Sequence, residues 1–254
     1  MNITKFFTKQ LLRKVPEVTV FFWIIKLLTT AMGESTSDFM VHKMDPVIAV
    51  VIGAIGFGIA MALQLRVKKY VAWVYWLAVS MVAIFGTMAA DVVHIVLGVP
   101  YLFSTICFAI ALTIFLSVWF KVEHTLSIHS ITNPRRELFY WLTVITTFAL
   151  GTALGDMTAV TLNLGYLDSG ILFAVLFVLP LVAYKFFKVN EVLVFWAVYI
   201  VTRPLGASLA DWFGRTTDFG GIGFGTGKTS LVLTFLIILF VGYLSITRKD
   251  IKGK

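Results

Sequence analysis

Three observations predict an all-α polytopic membrane protein of eight transmembrane helices, laid out as four parallel two-helix repeats with both termini cytoplasmic. The first is composition. Of 254 residues, 59% are apolar and 13% charged, with a mean hydropathy of +0.93, whereas a soluble domain carries about a quarter charged residues. The second is a series of apolar stretches near the ~20 residues that cross a hydrocarbon core: 17–37, 46–66, 70–97, 101–120, 138–163, 170–187, 191–213 and 229–247. The third is repetition. TTAMGESTSD (29–38), VAIFGTMAAD (82–91), TFALGTALGD (147–156) and TRPLGASLAD (202–211) share one framework, and Trp23, Trp76, Trp141 and Trp196 each stand ten residues before its Gly. Self-similarity at fixed spacing is the mark of a repeat architecture.

The elements follow in order. Residues 1–15, MNITKFFTKQLLRKV, read as a basic amphipathic arm. Ile3, Phe6, Phe7, Leu11 and Leu12 lie in the bilayer interface, and Lys5, Lys9, Arg13 and Lys14 face anionic lipid. No small-residue cleavage site precedes the first polar segment, so no removable signal peptide is expected. A single transmembrane domain spans 16–247, with repeats at approximately 17–66, 70–120, 138–187 and 191–247, and a basic tail covers 248–254. No stretch is long enough for a separate soluble domain. The lone Cys107 excludes an intrachain disulfide. Basic residues cluster in the arm, at Arg66, Lys68 and Lys69, at Lys121, Arg135 and Arg136, at Lys185 and Lys188, and in the tail, while the opposite side has Lys43, Arg215 and Lys228. The positive-inside rule therefore places both termini in the cytoplasm. The net charge of +8 is scattered over short loops, which suits lipid and offers no nucleic-acid patch.

Each unit is two helices, so all units point the same way. In every odd-numbered helix the Trp lies toward the cytoplasm and the Asp about 22 Å further out, ~60° apart on one face. Gly33, Gly86, Gly151 and Gly206 fall on a neighbouring face with Thr29, Val82, Thr147 and Thr202, where small residues let backbones approach. Gly53, Ala54, Gly56, Gly58 and Ala62 suggest similar contacts for the second helix.

With Trp, Gly and Asp recurring in register over residues 17–247, the chain resembles a bacterial family of membrane proteins built from four tandem copies of a two-helix repeat of unknown function. The resemblance implies eight spans in a bacterial inner membrane and no particular substrate.

Ionisable groups at membrane depth are costly and mark functional sites by default. Here they are Asp38, Asp91, Asp156, Asp211, Glu34, Lys26 and Arg203. Asp91 and Asp156 precede about two more turns of helical pattern and are expected below the helix end; Asp38 and Asp211 are nearer polar residues and are expected to be more exposed. Glu34, Asp38 and His42 form one stripe, and Asp91 and His94 another. Carboxylate plus imidazole suits Zn, Mn, Fe, Co or Ni, so His42 and His94 are candidate metal ligands, although no resident cofactor is firmly implied. Lys26 and Arg203 are the expected counter-ions. Five carboxylates against these two cations leave −3, which favours a cation. The Trp set reads either as interfacial anchors or as the wall of a cytoplasmic vestibule. GFGTGKTS (223–230) imitates a phosphate loop but has Ile222 where the first Gly belongs, so it reads as a turn capping the last helix.

These residues point to a cation transporter with Glu34, the four Asp and Thr29, Thr147 and Thr202 as ligands, carrying a divalent metal such as Mn²⁺, a proton, or one against the other. The expected partners are the bilayer and a small cation. Rival readings are a pseudo-four-fold channel with an Asp ring, a membrane enzyme using Asp as acid or base, and a sensor. No enzyme activity is expected, because no nucleophile–base pair is present.

Overall fold

The computed structural model describes residues 13–251, and among these every regular element is helical. Eight long helices run α1 Val20–Lys43, α2 Pro46–Arg66, α3 Ala72–Asp91, α4 Tyr101–Glu123, α5 Pro134–Asp156, α6 Gly165–Phe187, α7 Glu191–Gly214 and α8 Thr226–Thr247. Their starts carry the expected chemistry. Asp45 and Asn190 each accept from two backbone N–H groups, and Asn133 caps α5 with Pro134 in the first turn. At the other end α4, α6 and α8 stop at left-handed His124, Lys188 and Arg248, basic residues where the helix dipole favours them.

Seven of the eight are long and apolar enough to cross a membrane. The exception is α1, 24 residues long, whose Lys26, Glu34, Asp38 and hydroxyl residues lower its hydropathy. Those polar groups are buried inside the bundle, so the least apolar helix is the one that protein encloses. It also runs to Lys43, past the boundary expected at residue 37, and carries Glu34, Asp38 and His42 on one continuous helix.

The helices form two rings. The odd-numbered α1, α3, α5 and α7 pack in a closed circuit, each against the next and α7 against α1. Each even-numbered helix lies outside, chiefly on the odd helix that follows it: α2 on α3, α4 on α5, α6 on α7, and α8 back on α1. Burial follows this plan, with 61% and 67% of the apolar stretch buried in α5 and α7 against 11% in α6. The sequence repeat is odd-then-even, but the packing unit is even-then-odd.

The repeat glycines close the inner ring. A Cβ on Gly33 would stand 2.4 Å from Ala83 Cβ, one on Gly206 2.1 Å from Thr30 Oγ1, and one on Gly151 2.5 Å from Arg203 Cγ, while Gly86 faces Phe148 at 3.4 Å. Each glycine thus faces the next odd helix, which sets the backbone approach there. On α2, Gly53 and Gly56 seat Met88 and Met81, but Gly58 meets nothing within 4 Å and makes no such contact.

Glycine contacts put the repeats in register as five layers, four residues or about 6 Å apart along each inner helix. Starting from the end nearer the termini they are Phe22/Tyr75/Tyr140/Phe195, Lys26/Val79/Val144/Tyr199, Thr30/Ala83/Phe148/Arg203, Glu34/Thr87/Thr152/Ala207 and Asp38/Asp91/Asp156/Asp211. All but Asp91 and Asp156 are buried.

The terminal face is tied by chain ends. Tyr70 N–H donates to Arg13 O at 2.7 Å, Lys14 N–H to Ile131 O at 3.2 Å, and Glu17 N–H to Asp250 O at 2.9 Å. Residues 1–12 of the expected amphipathic arm lie outside the described residues. The remainder departs from that reading: residues 13–18 are not helical, Arg13 pairs with Glu17, and Lys14 is buried with its Nζ 2.5 Å from Glu137 Oε2. Glu137 is itself buried and also accepts from Gln64, so it requires a cation that lipid cannot supply. Tyr70 donates its hydroxyl to Asp250 at 2.5 Å. Burial raises the Asp250 carboxyl above its usual pKa, against the lowering effect of that hydrogen bond.

Candidate functional site

Arg203 is the centre of the inner ring. It enters from α7, where Pro204 follows it and removes a backbone donor. Its Nη2 donates to Glu34 Oε2 at 2.6 Å, to Thr87 Oγ1 at 2.5 Å and to Thr152 Oγ1 at 2.9 Å. Those three partners belong to α1, α3 and α5 and occupy the same repeat position, immediately after the glycine. The fourth repeat has Ala207 there, which leaves room for the guanidinium. One side chain therefore ties all four repeats together. Its Nε and Nη1 have no hydrogen-bond partner.

The four Asp carboxyls divide into two kinds. Arg215, just beyond α7, reaches Asp38 at 2.9 Å and Asp211 at 3.0 Å, bridging α1 and α7. It also lies 5.6 Å from the centre of the Tyr166 ring. Burial would lower the Arg215 pKa, but Asp211 and Asp38 outweigh that and raise it, so it is always charged. The loop that carries it folds back tightly, and a Cβ on Gly221 would stand 2.1 Å from Arg215 O. Asp91 and Asp156 form no hydrogen bond or ion pair among the described residues. Each ends an α-helical run and begins a π-helical turn, Val92–Val96 and Met157–Thr161, a geometry frequent at functional sites. Asp91 lies within electrostatic reach of Glu34, Asp38, Asp211 and the Arg203 guanidinium, and Asp156 within reach of Glu34, Asp91, Arg203 and Arg215. The Asp set therefore gathers at one end of the ring, with a neutralised half on α1 and α7 and an unpaired half on α3 and α5. The expected exposures are reversed: Asp38 and Asp211 are the buried pair, because Arg215 closes over them, and Asp91 and Asp156 are half-buried.

Lys26, expected as a counter-ion, forms no ion pair with a carboxylate among the described residues. Its Nζ has no hydrogen-bond partner and lies 4.0 Å from the Phe148 ring centre and 4.2 Å from that of Tyr199. Beneath it the Tyr75 and Tyr140 hydroxyls meet at 2.5 Å. Trp76, Trp141 and Trp196 are packed in this aromatic core, 1%, 2% and 4% exposed, and neither anchor an interface nor line a vestibule. Trp23 borders a cavity beside Leu126, His129 and Phe195 at the terminal end.

Thr29, Thr147 and Thr202 are buried, but each donates its hydroxyl to its own helix three residues back, at Lys26 O, Val144 O and Tyr199 O. They reach neither Arg203 nor the Asp set. His42 is exposed and bonds the Asp38 carbonyl, and His94 places Nδ1 3.2 Å from Val99 O with its ring tilted against Tyr101, centroids 4.4 Å apart. Among the described residues no three of His, Cys, Asp and Glu are placed to hold a metal ion, and each imidazole has a backbone carbonyl as its neighbour. GFGTGKTS forms the loop into α8, which starts at Thr226 with Thr229 Oγ1 donating to Gly225 O.

Three partners were missed from sequence. Thr87 and Thr152 share Glu34's register, a signal visible once the column after each Gly is read across the repeats. Arg215 stands four residues after Asp211, the spacing of a helical ion pair.

No curated protein and no solved structure matches the chain. A family model described as "Repeat of Unknown Function (DUF347)" matches residues 21–70, 74–125, 139–190 and 194–250. The chain belongs to that family.

Proposed function

We propose that this member of the repeat family is a carrier for a small cation in a bacterial inner membrane, with the terminal face cytoplasmic and the Asp layer facing out. The observation that carries the reading is the unpaired half of that layer. Asp91 and Asp156 are carboxyls without partners, on equivalent helices, beside a second pair that already has its cation in Arg215. Arg203 and Arg215 act on these carboxyls only at a distance, and carboxyls at membrane depth without a direct ion pair attract a cation. Five carboxylates, Glu34 and the four Asp, face the two cations Arg203 and Arg215, a net of −3.

The axis below favours a carrier over a pore. Arg203, Phe148, Lys26 and the tyrosine layer fill it, so passage requires rearrangement of the inner helices. Arg203 is the natural moving part, since its hydrogen bonds span all the repeats. Two carboxylates with no third ligand suit a hydrated or monovalent cation better than a chelated transition metal, and a divalent ion such as Mn²⁺ remains in the tested set. The experiment is flux into proteoliposomes with Mn²⁺, Na⁺, K⁺ and methylammonium offered in turn. Uptake of one of these by the wild type, lost in Asp91→Asn and in Asp156→Asn with the protein still monodisperse, is the expected result. Flux in both variants equal to wild type would remove the site.

A further inference from the structure

One ionisable group in the stack has no part in the cation site. Lys26 is 1% exposed, its amine has no hydrogen-bond acceptor, and it is held between the Phe148 and Tyr199 rings. The second and third repeats place Val79 and Val144 in the same column, both fully buried. An apolar side chain therefore packs at this position, and the amine is not a packing requirement. A buried polar group without a hydrogen bond is costly, and the two ring faces offset this only in part. Among the described residues of the helices packed around α1, Arg203 is the charged group that acts on Lys26.

Tyrosines connect this amine to the terminal face. Tyr199 from α7 lies against it. Tyr199 and Tyr140 both pack on the Trp196 ring, and Tyr140 from α5 and Tyr75 from α3 share a hydroxyl–hydroxyl hydrogen bond at 2.5 Å. Tyr75 packs edge-on against Tyr70 at 5.8 Å, and Tyr70 donates to Asp250 at the chain end. We propose that Lys26 is a proton-exchange site, and that Tyr199, Tyr140 and Tyr75 carry its proton to and from the terminal face. In the outgoing step an N–H bond of the ammonium breaks and its proton passes to Tyr199 Oη. Tyr199 releases its own O–H proton to the Tyr140–Tyr75 pair, Tyr75 releases one to Tyr70, and Tyr70 gives its proton to the Asp250 carboxylate, so each tyrosine oxygen gains and loses one proton, the amine is left neutral and Asp250 is left as the acid. Reloading is the reverse. The chain of hydroxyls is interrupted at Tyr199, whose Oη has no hydrogen-bond partner, and between Tyr75 and Tyr70, which meet only through their rings. A carrier needs such gaps, because a continuous hydroxyl wire would dissipate the proton gradient.

The coupling role rests on the carrier reading; proton exchange itself is tested without any cargo. Full-length protein in phosphatidylethanolamine–phosphatidylglycerol liposomes is adsorbed on a solid-supported membrane and given a pH jump with no transported cation present. The wild type is expected to show a transient charge displacement that is lost in Lys26→Met and Lys26→Arg and relaxes more slowly in Tyr140→Phe. Lys26→Arg keeps the charge and the ring contacts, so it would rescue a purely structural role; displacement recovered in that variant overturns the proposal. Displacement in Lys26→Met equal to wild type overturns it as well, and unchanged relaxation in Tyr140→Phe overturns the tyrosine path. Lys26→Met matches the apolar side chains of the other repeats and is checked for folding by gel filtration. Absence of charge movement in the wild type counts against Lys26 alone, whereas absence of cation flux counts against the carrier reading alone.

Discussion

Arg203 shows how a single residue breaks a four-fold repeat usefully. Its guanidinium occupies the place that a symmetric chain would leave to four like side chains, and the Glu34 carboxylate balances it. Arg203→Ala leaves that carboxylate buried and unpaired, with an expected loss of about 3–5 kcal/mol, read as a fall in melting temperature in detergent. Combining Arg203→Met with Glu34→Gln should restore most of the stability, since both charges go, but not transport; losses that simply add would mean the two are uncoupled. Thr87→Val and Thr152→Val should each cost roughly 1–3 kcal/mol by removing an acceptor from a buried donor. The charged members of this network were legible in sequence because charge in an apolar span is conspicuous. The two threonines were not, since hydroxyls abound in these helices and only the register across repeats singles them out.

The glycine spacing and helix boundaries were legible because both follow from local chemistry. The misread ends have local causes too: α5 begins at Pro134, ahead of the expected residue 138, because Asn133 caps it, and α6 starts at Gly165 with Asp168 in its favourable first turn. What sequence could not give was which helix each glycine faces. The ring geometry yields a paired expectation. Gly33→Val drives a side chain into the Ala83 backbone, where the nearest atom is 2.8 Å from a Cβ, and overpacking of this kind costs about 1–3 kcal/mol or more. Gly58→Ala meets nothing and should be neutral to about 1 kcal/mol stabilising through helix propensity. Thermal melts of the two variants side by side check the assignment. Equal destabilisation would mean that helix flexibility matters here and close approach does not.

Two concentric rings bury Lys26, Glu34 and Asp38 of the chain's costliest helix. Orientation is checked by fusions: a C-terminal green fluorescent protein should fluoresce and a C-terminal alkaline phosphatase should be inactive if the terminal face is cytoplasmic. The outer ring also has a consequence for synthesis. Because each cover helix precedes the helix it covers, α1 is the one inner helix whose cover is made last: it leaves the ribosome first and waits for α8. Its lysine and carboxylates wait for α5 and α7, which supply Phe148, Tyr199, Arg203 and, just beyond α7, Arg215, and until then each charge near mid-span opposes insertion by about 2.5–3.5 kcal/mol, while the outer face at Phe21 and Thr36 waits for α8. A nascent chain stopped before residue 226 should therefore remain unsealed and be degraded quickly in pulse-chase, while co-expressed α8 should prolong its life. The final helix to be translated is the one that certifies the first.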